Sequence, residues 1–241
     1  MIVLWVVFEA SAASDEVPAV LAVSWQPAFC ETAPRKPECR SQTSDRYDAT
    51  HFALHGLWPQ PRREQYCDVS PDLVALDRRG RWLSLPPLDL SEETRTRLER
   101  VMPGHQSGLH RHEWYKHGSC YGTPERYFAD SIALLDILNA SPIRTAFAEA
   151  IGKNVQTSTI RARFNEAFGQ GVGNRVRIAC SDSGGRRLIR ELTIGLVIDT
   201  SRPIAPESLA DFILAAAPTK PGCPGGEIDA VERETKKFPT R

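Results

Sequence analysis

Two short segments, about sixty residues apart, carry most of the side chains that could do chemistry in this chain. Residues 55–59 read His-Gly-Leu-Trp-Pro, and residues 112–118 read His-Glu-Trp-Tyr-Lys-His-Gly. Together they supply three imidazoles, a carboxylate and an ammonium group. The ordinary pKa of histidine lies near neutrality, so it can both accept and donate protons at physiological pH. The set therefore suits acid–base chemistry around a phosphorus atom.

The second segment predicts a helix with one functional face. Successive residues of an α-helix turn by about 100°, so residues 112, 116, 113 and 117 fall at roughly 0°, 40°, 100° and 140°. Side chains within such an arc share one side of the helix. That side then presents two imidazoles, an ammonium group and a carboxylate, from His112, His117, Lys116 and Glu113.

A metal site is one alternative, and an ordinary solvated helix face is another. The helical zinc motif places two histidines four positions apart, so that both reach one ion. His112 and His117 are five positions apart, and the lysine between them repels a cation, so we expect no metal and no cofactor. A solvated face would contain only ordinary charge pairs between successive turns. His55 argues against it, because this histidine ends a predicted strand, and strand ends hold side chains rigidly.

The composition limits the kind of partner that the chain can have. It has 241 residues, of which 41% are hydrophobic, and 30 basic residues balance 30 acidic ones, so the formal net charge is zero. This length and apolar fraction predict one large folded domain rather than two small ones or a disordered chain. A protein that grips long nucleic acid by charge alone is usually basic. We therefore expect nucleic-acid contact to cover only a few phosphates around a pocket.

Six cysteines bear on the compartment in which the protein works. None forms a Cys-x-x-Cys pair, which disfavours zinc knuckles and thioredoxin chemistry. An even number at wide spacing favours three disulfides in an oxidising compartment, and six buried thiols of a cytosolic protein are the alternative. Six cysteines allow fifteen pairings. The residues alone favour only Cys30–Cys39, which closes a short local loop.

Residues 1–18 form a possible signal or leader segment. Residues 2–8 are apolar and Ala10-Ser11-Ala12 resembles a cleavage site, although no Lys or Arg precedes the apolar run. We therefore expect an exported protein, periplasmic or secreted, with an atypical or truncated leader. No later segment approaches the ~18 apolar residues that a membrane span requires. The mature protein is expected to be soluble, with no membrane partner.

Periodicity and turn residues predict an α+β fold, with several helices packed around a central antiparallel sheet. Strands are expected at residues 20–25, 50–57, 176–180 and 191–199, the last two forming a hairpin around Ser183-Gly184-Gly185. Helices are expected at residues 71–78, 91–102 (with Ser91 as N-cap), 109–117, 124–139, 143–151 and 159–168. Irregular chain is expected at residues 31–49, over most of residues 60–89 and in the tail from residue 218.

The histidine segments resemble the two active-site segments of the ribonuclease T2 family. Residues 52–59, Phe-Ala-Leu-His-Gly-Leu-Trp-Pro, are similar to the first, and residues 112–118 are similar to the second. The pair is highly specific in this order and separation. The resemblance covers residues 19–225, which implies a single catalytic domain of that fold and a flexible tail at residues 226–241. The segment Ser24-Trp25-Gln26-Pro27 is more similar to sequences of the bacterial branch of the family than to those of the fungal or plant branches.

The resemblance implies an endoribonuclease that cleaves single-stranded RNA without a metal ion. In that reaction the ribose 2′-hydroxyl attacks the adjacent phosphorus, a 2′,3′-cyclic phosphate forms, and hydrolysis gives a 3′-phosphate. By the family's motif His117 is the base, His55 the acid and His112 a phosphate-binding residue. Lys116 and Glu113 match the pair that stabilises or polarises the phosphoryl group. DNA lacks the attacking hydroxyl and is expected to be inert.

Base-binding residues and disulfides are also implied by the resemblance. Trp58 and Tyr66 match aromatic positions that sandwich a base, and stacking on such rings tolerates any base. Gln60 stands where some relatives have a base-reading aspartate, so low base specificity is expected. The alternative is that Trp58 belongs to the core and Tyr66 to a loop. The remaining disulfides implied are Cys67–Cys120 and Cys180–Cys223.

Two functions outside this class remain as alternatives. A catalytically silent binding protein could keep the fold, but the intact set of five functional side chains disfavours it. A metal hydrolase is disfavoured by the histidine spacing. RNA is the expected partner of a monomeric chain. The other histidines are expected at the surface or behind the site: His51, His105 and His110.

Overall fold

The computed structural model describes residues 16–201 and 203–231. Over these residues it contains six strands: β1 (Glu16–Ser24), β2 (Ala53–Pro59), β3 (Asn154–Gln156), β4 (Val176–Ser183), β5 (Arg186–Asp199) and β6 (Gly225–Glu227). Its helices are α1 (Gln26–Thr32), α2 (Pro37–Arg40), α3 (Pro71–Arg78), α4 (Glu92–Val101), α5 (Leu109–Lys116), α6 (Pro124–Ala140), α7 (Pro142–Glu149), α8 (Thr157–Phe168) and α9 (Ser208–Ala215). The predicted α+β class is confirmed.

One sheet organises the fold, and β1 and β5 lie at its centre. β1 pairs antiparallel with β2 on one edge and with β5 on the other. β4 also pairs antiparallel with β5, whereas β6 runs parallel to β5 and joins β3 to the sheet. The predicted β4–β5 hairpin is confirmed, and its turn contains Gly184 and Gly185 with positive φ angles of 57° and 76°. Glycine adopts such angles without strain, which suits a tight hairpin turn.

A single hydrophobic core lies between the sheet and the helices. The long helix α6 buries a broad apolar face, as its spacing of apolar residues predicts. The buried apolar side chains of that face are Tyr127, Phe128, Ile132, Leu134, Leu135 and Leu138. Each fully buried side chain of this size stabilises the fold by roughly 1.5–3 kcal/mol relative to exposure. The sheet is therefore a rigid support for the residues at its edge.

Two polar side chains of α6 bind the outer edge of β2 and of Phe52, the residue directly before it. The Tyr127 hydroxyl accepts a hydrogen bond from the Leu57 N–H at 3.2 Å and donates one to the Leu57 carbonyl at 2.8 Å. The Asn139 amide makes a similar pair with the backbone of Phe52, at 3.0 Å in both directions. Buried backbone groups need such partners. The strand that contains His55 is therefore held on both of its edges.

The ends of the folded chain differ from their predicted positions. β1 begins at Glu16, three residues before the predicted start of the domain. The predicted tail begins too early, because residues 225–227 form β6, Ile228 is buried, and the Trp25 indole donates to the Asp229 carbonyl at 2.8 Å. Most of the predicted leader and the end of the tail, residues 1–15 and 232–241, lie outside the described residues.

Residues 31–49 are less irregular than predicted, because α1 ends at Thr32, α2 spans Pro37–Arg40 and a 3-10 helix spans Tyr47–Ala49. Pro27 and Pro37 lie in the first turns of α1 and α2, where a proline loses no helical hydrogen bond. The prediction also missed α9, whereas α3 has the predicted bounds and the Ser91 hydroxyl caps α4 by accepting from the Thr94 N–H. Within the part of the chain that is described, no helix has both the length and the apolar character that crossing a membrane demands.

Candidate active site

His55 occupies a break in the pairing of β1 and β2. Ala22 pairs with Gly56 and Val23 pairs with Leu54, which leaves His55 as the extra residue of a β-bulge. A bulge bends its strand and changes the direction in which a side chain points, and bulges are frequent beside active sites. The bulge therefore accounts for the way in which an edge strand directs His55 toward the helices.

The imidazole of His55 lies between two carboxylates. Its Nδ1 is 2.6 Å from Oε2 of Glu191, and its Nε2 is 3.6 Å from Oε1 of Glu113. Burial lowers the pKa of His55, but the two carboxylates outweigh this effect, so the pKa is raised above its ordinary value. At neutral pH the ring is therefore biased toward the protonated form.

The carboxylate of Glu113 lies at the centre of the site. Its side chain is only 1% exposed, and Oε2 accepts a hydrogen bond of 2.8 Å from the Trp58 indole. The backbone of Gly56 packs directly against it. Burial raises the pKa of Glu113, and the positive charges of His55 and His112 offset only part of that rise. The predicted helix thus places its acidic residue inside the site rather than in solvent.

His112 is fixed by two residues from the segment between the histidine motifs. Its Nδ1 lies 2.7 Å from Oδ1 of the buried Asp77, at the end of α3. The Trp82 ring stacks on the imidazole at 4.5 Å, and the Trp82 indole donates to the Asp77 carbonyl at 3.2 Å. The Nε2 of His112 is left facing Glu113 Oε1 at 3.9 Å. Acidic and basic side chains therefore alternate across the site, in the order Glu191, His55, Glu113, His112 and Asp77.

His117 has the opposite electrostatic environment to His55. It follows the last residue of α5 as its C-cap and is 7% exposed. Its ring centre lies 5.6 Å from that of Trp58 and 6.3 Å from that of His112. Burial, together with the positive charges of Lys116, His112 and His55, lowers the pKa of His117 to about 3. The ring is therefore neutral at physiological pH and can accept a proton.

A cleft of about 280 Å³ adjoins His117. Lys116 and Trp58 line it, as does Gln60, whose amide donates to the Trp58 carbonyl at 3.2 Å. Arg62 and Gln65 complete its polar side. The structure therefore brings two of the three predicted base-binding residues to one cleft, next to the lysine and a histidine of the second segment.

Tyr66, the third predicted base-binding residue, is not among the residues that line this cleft. Its hydroxyl donates to Oδ2 of Asp77 at 2.7 Å, and its backbone N–H donates to the Lys116 carbonyl at 3.0 Å. The guanidinium of Arg78 lies 5.6 Å from the ring centre. Tyr66 also has a φ of 59°, an uncommon angle for a non-glycine residue. Tyr66 and His112 thus share the same carboxylate.

A second cleft, of about 210 Å³, adjoins His55. Trp82, Lys36 and Arg190 are among its lining residues, so it combines an aromatic ring with two cations. The site therefore has space on the His55 side as well as on the His117 side. A larger cavity of about 520 Å³ lies elsewhere, beside His51, which stacks on Tyr47 at 4.1 Å.

The other two histidines form a pair of their own. The rings of His105 and His110 stack at 3.9 Å, and His110 is buried. Among the described residues, no group of three His, Cys, Asp or Glu side chains has an arrangement that could hold a metal ion. These histidines therefore lie outside the constellation formed by the two motifs.

Three disulfides join the cysteines, and their pairing is the one that the resemblance implies. Cys67–Cys120 links the loop of Tyr66 to the short 3-10 helix that follows His117. Cys180–Cys223 joins β4 to the segment before β6, and Cys30–Cys39 joins α1 to α2. The first of these therefore ties together two parts of the site.

Sequence reasoning missed Asp77, Trp82 and Glu191. Asp77 and Trp82 belong to a stretch without any recognisable motif, so nothing local distinguishes them from surface residues. Glu191 directly follows Arg190 in β5, a strand that also contains Arg186 and Arg187, so nothing local distinguishes it either. Only the folded structure identifies these residues, through their contacts with His55 and His112, because the partners are distant in sequence.

Comparisons with known proteins agree with the geometry. The profile of the ribonuclease T2 family matches residues 18–206. Ribonuclease I of Escherichia coli (strain K12) is 30% identical, over 80% of this chain and 79% of that protein. Among solved structures, RNase NT in complex with 5′-AMP has a TM-score of 0.53 at 20% identity, over 89% of this chain and 98% of that one. Ribonuclease MC1 from the seeds of bitter gourd has a TM-score of 0.50 at 18% identity, over 77% and 91%. These two structures share the fold of this chain.

Proposed function

Because the chain belongs to the ribonuclease T2 family and is an endoribonuclease of the metal-independent, transphosphorylating type, we propose that His117 is its base and His55 its acid. The opposite environments of the two rings carry this assignment. His55 lies between two carboxylates, which favour the protonated ring. His117 is buried beside Lys116 and other cations, which favour the neutral ring. Each histidine is therefore in the state that its role requires at neutral pH.

The reaction follows from these two states. His117 takes the proton of the ribose 2′-hydroxyl, the 2′-oxygen attacks phosphorus, and the bond to the 5′-oxygen breaks. His55 gives its proton to the departing 5′-oxygen, so a 2′,3′-cyclic phosphate and a free 5′-hydroxyl result. Hydrolysis of the cyclic ester reverses the roles: His55 takes a proton from water and His117 returns one to the 2′-oxygen. DNA has no 2′-hydroxyl and cannot enter the first step.

Lys116 and His112 supply positive charge for the phosphoryl oxygens. Lysine is a compact point charge that suits phosphate, and it lines the cleft beside His117. His112 presents its Nε2 on the side of Glu113, because Asp77 binds its Nδ1. Preorganised charge of this kind stabilises a transition state in which negative charge develops. Glu113 holds both imidazoles in place from its buried position.

The cleft beside His117 is proposed to receive the base on the 5′ side of the scissile bond. Trp58 offers it a ring, and Gln60 offers an amide that can both donate and accept hydrogen bonds. Stacking and a neutral amide distinguish bases weakly, so low base specificity is expected. Tyr66 contributes by positioning Asp77. The cleft beside His55, with Trp82, is placed to receive the nucleoside that leaves.

The protein is proposed to act as a monomer in an oxidising compartment, periplasmic or extracellular. Three disulfides support this, because such bonds persist outside the reducing cytosol. The proposed leader, which lies before β1, would direct this export. A single catalytic domain from β1, which begins at Glu16, to the contact at Asp229 is the proposed active unit. RNA is its proposed partner, with no requirement for DNA, a membrane, a metal or a cofactor.

One assay tests the assignment. Purified protein is incubated with single-stranded RNA in excess chelator, beside a His117→Phe variant and a His51→Phe control outside the site. We expect wild type and control to release fragments with cyclic or 3′-phosphate ends. We expect the cleavage rate of His117→Phe to be lower by about 1000-fold, which lies within the usual contribution of a general base to the rate. Sensitivity of the wild type to chelator, or activity of His117→Phe, would overturn the proposal.

A further inference from the structure

We propose that Glu191 is a positioning residue for the acid, which fixes the exchangeable proton of His55 on Nε2 and keeps the ring charged. This inference rests on the role of His55 proposed above. It is carried by the 2.6 Å contact between Oε2 of Glu191 and Nδ1 of His55, across 136 positions of sequence. The contact occupies the nitrogen that faces away from Glu113, and so decides which nitrogen can serve the substrate.

The backbone of Glu191 is held on both edges. Ser24 of β1 and Ala179 of β4 both pair with it in antiparallel register. The β4–β5 ladder shifts its register at Arg190, directly before Glu191, and the Trp25 N–H donates to the Arg190 carbonyl at 2.8 Å. Side chains on strands are positioned more rigidly than those on loops. Two bulges, one in β2 and one in β5, thus place an imidazole and a carboxylate in contact.

The burial of Glu191 makes this contact informative. Its side chain is 14% exposed, although it carries a charge. A carboxylate is seldom taken out of water unless a hydrogen bond or an opposite charge compensates it. His55, itself 32% exposed, provides both when it is protonated. Glu191 therefore stabilises the charged ring more than the neutral one.

The contact also decides the tautomer that remains after catalysis. When the His55 imidazolium gives its Nε2 proton to the 5′-oxygen, the other proton stays on Nδ1, which donates it in a hydrogen bond to Glu191. The neutral ring then has a free lone pair at Nε2, where it can take a proton from the water that opens the cyclic phosphate. A partner that binds one nitrogen sets the role of the other. Glu191 gains and loses no proton in this cycle.

Other charged groups also face His55, and they oppose or support Glu191 to different degrees. Glu113 supports it from 3.6 Å, against 2.6 Å for Glu191. Arg190 in β5 acts against protonation, Lys36 before α2 lines the same cleft, and His112 in α5 lies on the far side of Glu113. The ring of His117, at the C-terminal end of α5, is neutral and adds no opposing charge. Glu191 is thus the nearest carboxylate, and its charge should control the upper limb of the pH–rate profile.

The experiment compares Glu191→Gln, Glu191→Ala and a control, Glu93→Gln, on the exposed surface of α4. The glutamine keeps an oxygen that can accept from Nδ1–H but removes the charge. We measure kcat/KM against pH with a short RNA and follow the imidazole nitrogens of His55 by NMR.

For Glu191→Gln we expect the upper limb of the pH–rate profile and the titration of His55 to move down together by about one pH unit, with near wild-type kcat/KM on the plateau. For Glu191→Ala we expect the same shift and a further loss of plateau rate of about ten- to a hundredfold. Glu93→Gln should match the wild type.

A reduced rate in Glu191→Gln with an unmoved limb and an unmoved His55 titration would assign Glu191 a structural role and overturn the inference. NMR of the wild-type enzyme is a second test, which does not depend on the folding of the variants. When the His55 ring is neutral, its proton must be on Nδ1, and a proton on Nε2 would also overturn the inference. Failure of the proposed function looks different, because a His55→Ala enzyme would then stay active whatever Glu191 does.

Discussion

Gly56 and Glu113 are packed so closely that a Cβ on Gly56 would lie 1.9 Å from Oε2 of the glutamate. The same Cβ would lie 2.9 Å from the Trp58 indole nitrogen, the partner that Oε2 binds. Gly56 is not one of the glycines that have a positive φ angle. The glycine that follows His55 is therefore required for close approach to a carboxylate rather than for a turn.

Substitution Gly56→Ala tests this relationship. We expect kcat/KM to fall by roughly a hundredfold, because Glu113 must leave its position between the imidazoles and misplacement of about 1 Å can cost that much. Gly195→Ala is the matched control, since it lies in β5 and its Cβ would meet Ala216 at an ordinary 3.4 Å. Steady-state cleavage of RNA by the three proteins measures the effect. Equal activity of both variants would contradict the close-contact explanation.

Asp77 joins the phosphate side of the site to Tyr66. The change Asp77→Asn weakens the hold on Nδ1 of His112, so we expect kcat/KM to fall about tenfold, as when a residue that orients a functional histidine is lost. Tyr66→Phe removes only the hydroxyl that donates to Oδ2. It should therefore retain more activity than Asp77→Asn with every base. Cleavage rates on homopolymeric RNAs measure both, and an Asp77→Asn enzyme at least as active as Tyr66→Phe would remove the proposed link.

The activity of the wild type should depend on pH as a broad bell. The base His117 must be neutral, and since its pKa is lowered to about 3 the rising limb lies well below pH 6. The acid His55 must be protonated, and since its pKa is raised the falling limb lies above the ordinary histidine value of about 6.5. Initial rates of kcat/KM from about pH 3 to about pH 9 measure both limbs. A falling limb below pH 6.5 would contradict the assignment of His55.

The disulfide beside the site should matter for both stability and activity. Cys67–Cys120 spans 53 positions and Cys30–Cys39 spans 9, so chain entropy predicts losses of about 4 and about 3 kcal/mol on removal. Paired serine variants of each bridge test this by denaturant unfolding. Only the Cys67/Cys120 pair should also lower kcat/KM, because it ties the Tyr66 loop to the segment after His117. Equal activity losses in the two variants would contradict that distinction.

The two histidine segments were predictable because each is a continuous string whose residue types state their chemistry. The hairpin and the cap of α4 were predictable for the same reason, since glycine pairs and a serine act on their immediate neighbours. His55 with Glu191 and His112 with Asp77 were not, because these partners lie 136 and 35 positions apart. The bulge at His55 was equally hidden, since it depends on the register between two strands.

Elements beyond the predicted ones were missed for a different reason. The strand expected at residues 20–25 ends close to the end of β1, but the sequence did not predict the helix α1 that follows, with Pro27 in its first turn. The segment at residues 226–229 has no apolar periodicity of its own, and it belongs to the fold because Trp25 and Arg186 bind it. For this second segment the partner, and not the local sequence, decides the structure.

The contacts of Tyr127 and Asn139 with β2 have one more effect. An edge strand with free N–H and C=O groups is a template on which another chain can add a strand, and this is how many sheets polymerise. In this chain α6 already occupies those groups at Phe52 and Leu57. The strand that supplies His55 therefore presents fewer free backbone groups to a strand of another chain.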